Sequence, residues 1–454
     1  MISSISPLAF LAAVVVIGSQ VSDRVTPVAT QGANPDRRLL DAVTTYSNMG
    51  LAVAGEPLPF VASVAFLPGP DPDSTLVVFA LSLANQGLTF RRVDSNYEAR
   101  YSVRLTFKDQ GVVRARLDAA EVVRVASYRE TVRRDESVIY QKFLFLHPGR
   151  LVTEVTVSDA FATDTTRSDL TIDVPRFGGG PMLSSIISVY QGDGRVSLGA
   201  VPGVVVNARA TTAYGQDSLR FYVEGYRVPA ERRARVRVTG SRGTALWSDS
   251  VTFESQGSSL SAAFVAVPSD LLGVGTMQVE VTLADLPSVS SPVLVALSDE
   301  RVVASFEDLV SLLRYFDDTS RVVTLRAAAV EERPAEWKRF WTATHTDSGT
   351  TANGVLERYF MRVEEANVRF QEPGMPGWMT ERGEVFVALG VPDDVRNIDH
   401  SRSSGERLVR WRYFEEELTL YFVDEANLGR LRLTPASRAD FASVATKQRK
   451  DRDG

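Results

Sequence analysis

From about Leu58 onward, apolar and polar residues alternate with a period of two. Tyr101, Val103, Leu105 and Phe107 alternate with Ser102, Arg104 and Thr106, and Leu151, Thr153, Val155 and Val157 with Val152, Glu154 and Thr156. Successive side chains of a strand point to opposite faces, so these runs predict half-buried strands. Turn residues break them at Pro68-Gly69-Pro70-Asp71, Asp94-Ser95-Asn96 and Pro148-Gly149. Many short strands of this kind predict an antiparallel β-sandwich over residues 41–176. Phe177-Gly178-Gly179-Gly180-Pro181 then reads as a linker. Three glycines could cradle a phosphate only ahead of a helix N-terminus, and Ser185–Tyr190 reads as a strand. A second β-rich module follows over 183–297, with Val236 and Val238, then Met277, Val279, Val281 and Leu283 in alternation. Glu154-Val155-Thr156-Val157-Ser158-Asp159 recurs as Glu280-Val281-Thr282-Leu283-Ala284-Asp285, each followed by a short apolar strand. The recurrence suggests two related sandwiches in tandem, although the same alternation arises in any sheet.

At Ser298 the period becomes helical. Ser305 with Asp308 reads as a helix N-cap, and Leu309, Leu312, Leu313 and Phe316 fall on one face. A second helix opens at Pro334 with Trp337, Phe340, Trp341 and Thr344 inward, and a third spans about Gly354–Gln371 with Leu356, Phe360, Val363 and Phe370 inward. Asn397–Glu406 reads as a loop. Leu408–Tyr413, Leu418–Val423 and Arg430–Leu433 read as a meander, joined by Glu384–Leu389 in a sheet of four strands. The expected fold is mainly β with a C-terminal α+β domain: two tandem antiparallel β-sandwiches, then helices packed on a small antiparallel sheet over 298–440. Residues 441–454 read as a charged tail that frays.

The densest stretch is Gly374–Asp394. Gly374, Pro376 and Gly377 form a turn; Trp378, Thr380, Glu381 and Arg382 follow, and Gly383 leads into Glu384–Leu389. Apolar residues on both faces of that run predict a buried strand. Gly390, Pro392, Asp393 and Asp394 close it. Two readings stand. Trp378 plugs a core with charges solvating the rim, or Gly377, Trp378, Thr380, Glu381, Arg382, Asp393 and Asp394 form an interaction loop.

Gly377-Trp378-Met379-Thr380-Glu381-Arg382-Gly383, with Gly390 and Pro392-Asp393 beyond it, resembles the signature of the GWxTD domain family of bacterial proteins. The likeness extends to Phe340-Trp341, Glu357-Arg358-Tyr359 and Trp411-Arg412-Tyr413, and more weakly to Phe221-Tyr222-Val223-Glu224 in the β-rich front half. The chain departs at Glu381, where the family's name-giving residue is Asp; the charge is kept and the reach is one methylene longer. The resemblance implies an exported protein with β-modules in front of this domain. It implies no established catalytic activity and carries over no catalytic residue.

The 454 residues, 44% hydrophobic and 23% charged, suit about three domains. A net charge of -6 argues against a nucleic-acid binder. Basic residues are nearly all arginine, which reads as genomic codon bias. The absence of cysteine excludes disulfides, thiolate metal sites and a thiol nucleophile. Leu8–Gly18 fits the apolar core of a secretory signal within residues 1–22, followed by a linker over 23–40. It has no Lys or Arg before it, and a buried N-terminal strand is the other reading. Asp71 with Asp73, and Asp393 with Asp394, could offer oxygen ligands to calcium but lack the regular loop; turn residues are the plainer reading. His345-Thr346-Asp347 could orient a general base, or simply end a helix.

No metal, cofactor or catalytic residue is therefore assigned. The expected protein is an exported, periplasmic or extracellular binding or structural protein, with an envelope protein or glycan as its partner and no transmembrane span once the signal is removed. The alternative is an enzyme with its site around Trp378, Glu381, Arg382 and Asp393, where an acid would act as base and Arg382 as electrostatic clamp. That alternative requires the four side chains to line one pocket.

Overall fold

The computed structural model describes residues 42–132, 137–228, 232–240, 243–257, 259–298, 301–316, 319–345, 353–399, 407–424 and 428–453. Leu8–Gly18, the linker over 23–40, Thr346, Asp347 and His400 lie outside them. The described residues form two units, 42–303 and 304–453.

The first unit is antiparallel almost throughout. One sheet orders Ala52–Ala54, Phe60–Pro68, Thr75–Ala84 and Ser137–Leu146; a second orders Arg91–Val93, Asn96–Asp109, Gly149–Asp159 and Thr165–Val174, with Val112–Val125 paired along Asn96–Asp109. Tyr101, Val103, Leu105 and Phe107 face inward, as do Leu151, Val155 and Val157. The alternation there reports a sheet with one wet face. Phe60–Pro68 and Thr75–Ala84 behave otherwise and are buried at every position. Their sheet is covered on both sides, since the same core takes in Ile172 and Val174 from one neighbour and Ile187, Val204 and Tyr222 from the next module.

That next module also has two sheets. One orders Gly203–Val206, Ile187–Asp193, Ser218–Tyr226, Leu260–Pro268 and Glu254–Gly257, with Met182–Leu183 beside Ser218–Tyr226. The other orders Thr211–Ala213, Val289–Ala296, Gly275–Thr282, Arg233–Thr239 and Ala245–Thr252, its first pair being parallel. The recurring Glu-Val-Thr segments lie in, or run out from, the first strand of a hairpin in each module. Polar contacts join the modules. The Gln141 amide donates to Val204 O at 2.6 Å and accepts from Val206 N at 3.1 Å. Arg195 and Glu224 form a fully buried pair through two bonds of 2.9 and 2.8 Å. Arg195 also donates to Pro68 O at 2.6 Å, reaching back to the first sheet.

The second unit opens with helices Phe306–Leu312, Thr319–Ala327, Arg333–Thr344 and Gly354–Arg369. Ser305 Oγ accepts from Asp308 N at 3.1 Å, so the expected cap forms. Trp337, Phe340, Trp341, Leu356, Phe360 and Val363 are buried, as their spacing predicts. Thr319–Ala327 carries only two buried apolar residues, Val322 and Leu325, and its weak stripe gave no signal in the sequence.

Three expectations are corrected. Glu384–Leu389 is not a strand but most of a helix, Glu381–Leu389. Val385, Phe386 and Val387 are all buried, and a short run buried on every side is the case in which apolar pattern cannot separate strand from helix. The fourth strand of the sheet is instead Asp394–Asp399, which pairs with Arg407–Tyr413, followed by Leu418–Asp424 and Arg432–Leu433. It includes Asn397, read above as loop; a polar edge strand lacks the alternation that marks a half-buried one. Last, Pro435–Asp453 is a helix rather than a tail. Pro435 suits a first helical turn, Thr434 Oγ1 accepts from Ser437 N at 3.3 Å, and Phe441 is buried. No helix among the described residues is long and apolar enough to cross a membrane.

Candidate functional site

The signature stretch begins where the Gly354–Arg369 helix ends. Gly374, with φ +80°, reverses the chain, and Asn367 Oδ1 accepts from Gly377 N at 3.1 Å. Gly377 sits against the helix's last carbonyls. A Cβ there would lie 2.2 Å from Ala366 O and 2.6 Å from Asn367 O. Thr380 is fully buried; its hydroxyl donates to Gly377 O at 2.7 Å and accepts from Gly383 N at 3.1 Å, capping the Glu381–Leu389 helix. Gly383 returns against the same turn, where a Cβ would meet Gly377 O at 2.0 Å. The two glycines and the threonine thus make one close crossing of two helices. Gly383→Ala should force backbone apart and cost about 1–3 kcal/mol or more; a denaturation midpoint equal to wild type would contradict this.

Trp378 fills the space beneath that crossing. It is 2% exposed, with Tyr315 edge-on at 6.2 Å and the Arg314 guanidinium 5.9 Å from its ring. Burial, with the Glu384 charge adding, pushes the Tyr315 hydroxyl up to about 12.

Glu381 and Arg382 point into a charged cluster that the sequence did not announce. The Glu381 carboxylate accepts from Leu433 N at 2.5 Å, and its other oxygen pairs with Arg438. Its extra methylene, relative to the family's Asp, belongs to a side chain that reaches the last strand and the last helix rather than its own helix cap. Arg382 lies over Phe370 at 5.5 Å and 3.7 Å from Glu372, a carboxylate with no side-chain exposure. Burial, opposed by Glu372, pulls the Arg382 guanidinium below its ordinary value. Glu372 also accepts from Leu431 N at 3.1 Å and Arg432 at 2.8 Å. Glu372, Arg432 and Arg438 were not identified from the sequence. Glu372 sits beside Pro373-Gly374 and reads as an ordinary turn residue.

Asp393 and Asp394 stand at the other end of the Glu381–Leu389 helix, about 13 Å away at ~1.5 Å per residue. Gly390, with φ +88°, ends that helix. Asp393 N donates to Arg412 O at 2.9 Å, and its carboxylate accepts from Phe414 N at 2.6 Å. Asp394 pairs with Arg410 at 2.8 Å and Arg396 at 3.3 Å, and the Arg410 hydrogen bond holds its carboxyl below the usual range. The two aspartates therefore serve different partners, at the end of the helix opposite to Glu381 and Arg382. At this end Val391, Val395 and Phe414 are exposed large apolar residues, with Arg412 5.1 Å from the Phe414 ring.

The other sequence candidates take local roles. Asp71 Oδ1 accepts from Asp73 N at 3.0 Å within its turn, and Asp73 pairs with Arg176. His345 packs edge-on against Trp341 at 6.4 Å.

No curated protein matches the chain at a significant level. Among solved structures it is similar to a tetra-tandem repeat in the extending region of a large adhesion protein, at 13% identity over 50% of this chain and 57% of that one, with a TM-score of 0.17. It is also similar to red sea bream transglutaminase, at 10% identity over 51% of this chain and 31% of that one, with a TM-score of 0.15. The chain spans less than two thirds of either structure, and scores this low define no shared fold. Residues 291–427, which hold the helices from Phe306 to Leu389, the signature and three strands of the last sheet, match the GWxTD domain. This part of the chain is a GWxTD domain.

Proposed function

We propose that the protein is an exported, non-catalytic binding or structural component of the bacterial cell envelope, in which β-modules carry a C-terminal interaction domain. One observation supports this reading above others. The signature residues Gly377, Trp378, Thr380 and Gly383 are used inside the domain, whereas Val391, Val395 and Phe414 are left exposed beside Asp393 and Arg412. Exposed apolar side chains rimmed by charge mark a contact surface. The partner is an envelope protein or glycan, and the apolar Leu8–Gly18 segment supports delivery outside the cytoplasm.

Two measurements test the proposal. Fractionation of the native host should find a shortened chain outside the cytoplasm; an intact N-terminus in the cytosol would overturn export. Phe414→Ser combined with Val391→Ser should abolish retention on an envelope fraction while leaving the denaturation midpoint within about 0.5 kcal/mol of wild type. Retention unchanged in that variant would remove the surface from consideration.

A further inference from the structure

We propose that two copies of the chain pair edge to edge through the Val112–Val125 strands, which run antiparallel across a two-fold axis at Leu117. This strand is paired on one side only, by Asn96–Asp109. Among the described residues its other edge has no backbone partner. Alternate backbone groups along a strand point to either side, so this edge presents a row of donors and acceptors that another strand can satisfy. It carries neither proline nor glycine, and it is long. Val112, Val113 and Val122 are exposed on it at 57, 52 and 46%.

The occupant follows from self-complementarity. Ala115, Leu117, Ala119 and Val123 pack on the core, so the odd positions face inward and the even ones outward. Two copies that extend one sheet must set inward residues opposite inward residues. With Leu117 opposite Leu117, Ala115 faces Ala119, Arg116 faces Asp118 and Val112 faces Val122, each twice by symmetry. No like charges oppose one another. Sliding the strands two residues in either direction places Arg116 against Arg116 or Asp118 against Asp118, which disfavours those registers. Asp118 is half exposed and already holds Arg104 and Arg116 of its own sheet, so its carboxylate is set in place on the open edge.

The chain has no cysteine, which makes a covalent test clean. Directly opposed residues of antiparallel strands lie about 4.5–5.5 Å apart, within disulfide reach. Under mild oxidation the full-length Leu117→Cys variant should become a covalent dimer. Ala120→Cys is more exposed but opposes Arg114, and should stay largely monomeric. Without oxidant, light scattering across a concentration series should give a wild-type dimer. Asp118→Arg should weaken it at least about tenfold, and Arg116→Asp with Asp118→Arg should restore it. A wild type monomeric at every concentration, equal crosslinking of both cysteine variants, or failure of the double reversal to restore association in a chain with unchanged circular dichroism would each overturn the proposal.

Discussion

Glu224→Ala is expected to destabilise the β-rich unit by about 3–5 kcal/mol, the range for breaking a buried ion pair by removing one partner. Arg195 and Glu224 have no side-chain exposure, and the guanidinium meets both carboxylate oxygens. The Tyr222 hydroxyl donates to the same carboxylate at 2.6 Å. Without Glu224, Arg195 keeps the carbonyls of Leu198, Ala200 and Pro68, but its charge stays buried and uncompensated. The pair need not be a net source of stability. Arg195→Met with Glu224→Leu removes both charges together and should recover most of the loss. Denaturant midpoints of wild type, Glu224→Ala and the double variant decide this. A Glu224→Ala loss below about 1 kcal/mol would show that water or a neighbouring group compensates the arginine.

The legible parts of this fold are those in which burial is one-sided. Tyr101 to Phe107 and Trp337 to Thr344 each show a wet and a dry face, so their period survives in sequence. Where burial is complete, the period vanishes. Phe60–Pro68 lies between two layers, and Val385–Val387 lies in a helix enclosed on all sides. Valine's strand preference then points the wrong way for Glu381–Leu389, although Thr380 followed by Glu381 and Glu384 is a readable helix start. Of the candidate site, the turn at Gly374 and Gly377 and the packing of Trp378 were legible. The partners of Glu381 and Arg382 were not, because Glu372 and Arg432 lie far from them or from each other in sequence and meet only after folding. Glu224 shares a strand face with Tyr222 in an apolar run, where a buried carboxylate needs hydrogen bonds, a proton or a cation. Nothing in the sequence named Arg195 as that cation.

Trp378→Ala should cost about 3–5 kcal/mol, the range for emptying a buried aromatic site. The ring is enclosed by the helix crossing above it and by Tyr315 at its edge. Gly377 and Gly383 hold the backbones too close for the site to collapse readily, which favours the upper part of the range. Arg382 belongs in a different class from the one its position in the sequence suggested. A solvated arginine would contribute about 0–1 kcal/mol. This side chain is 17% exposed and faces a carboxylate with no exposure, so Arg382→Ala should cost more than a surface pair. It should still cost less than Trp378→Ala, because Arg432 and Leu431 N continue to hold Glu372. Four of the five tryptophans, Trp337, Trp341, Trp378 and Trp411, lie in the second unit, so intrinsic fluorescence follows its unfolding in the full chain. The expected order of stability is wild type, then Arg382→Ala, then Trp378→Ala. If Trp378→Ala unfolds at the wild-type midpoint but loses envelope retention, the ring acts in recognition, and the contact surface moves from Phe414 to the signature itself.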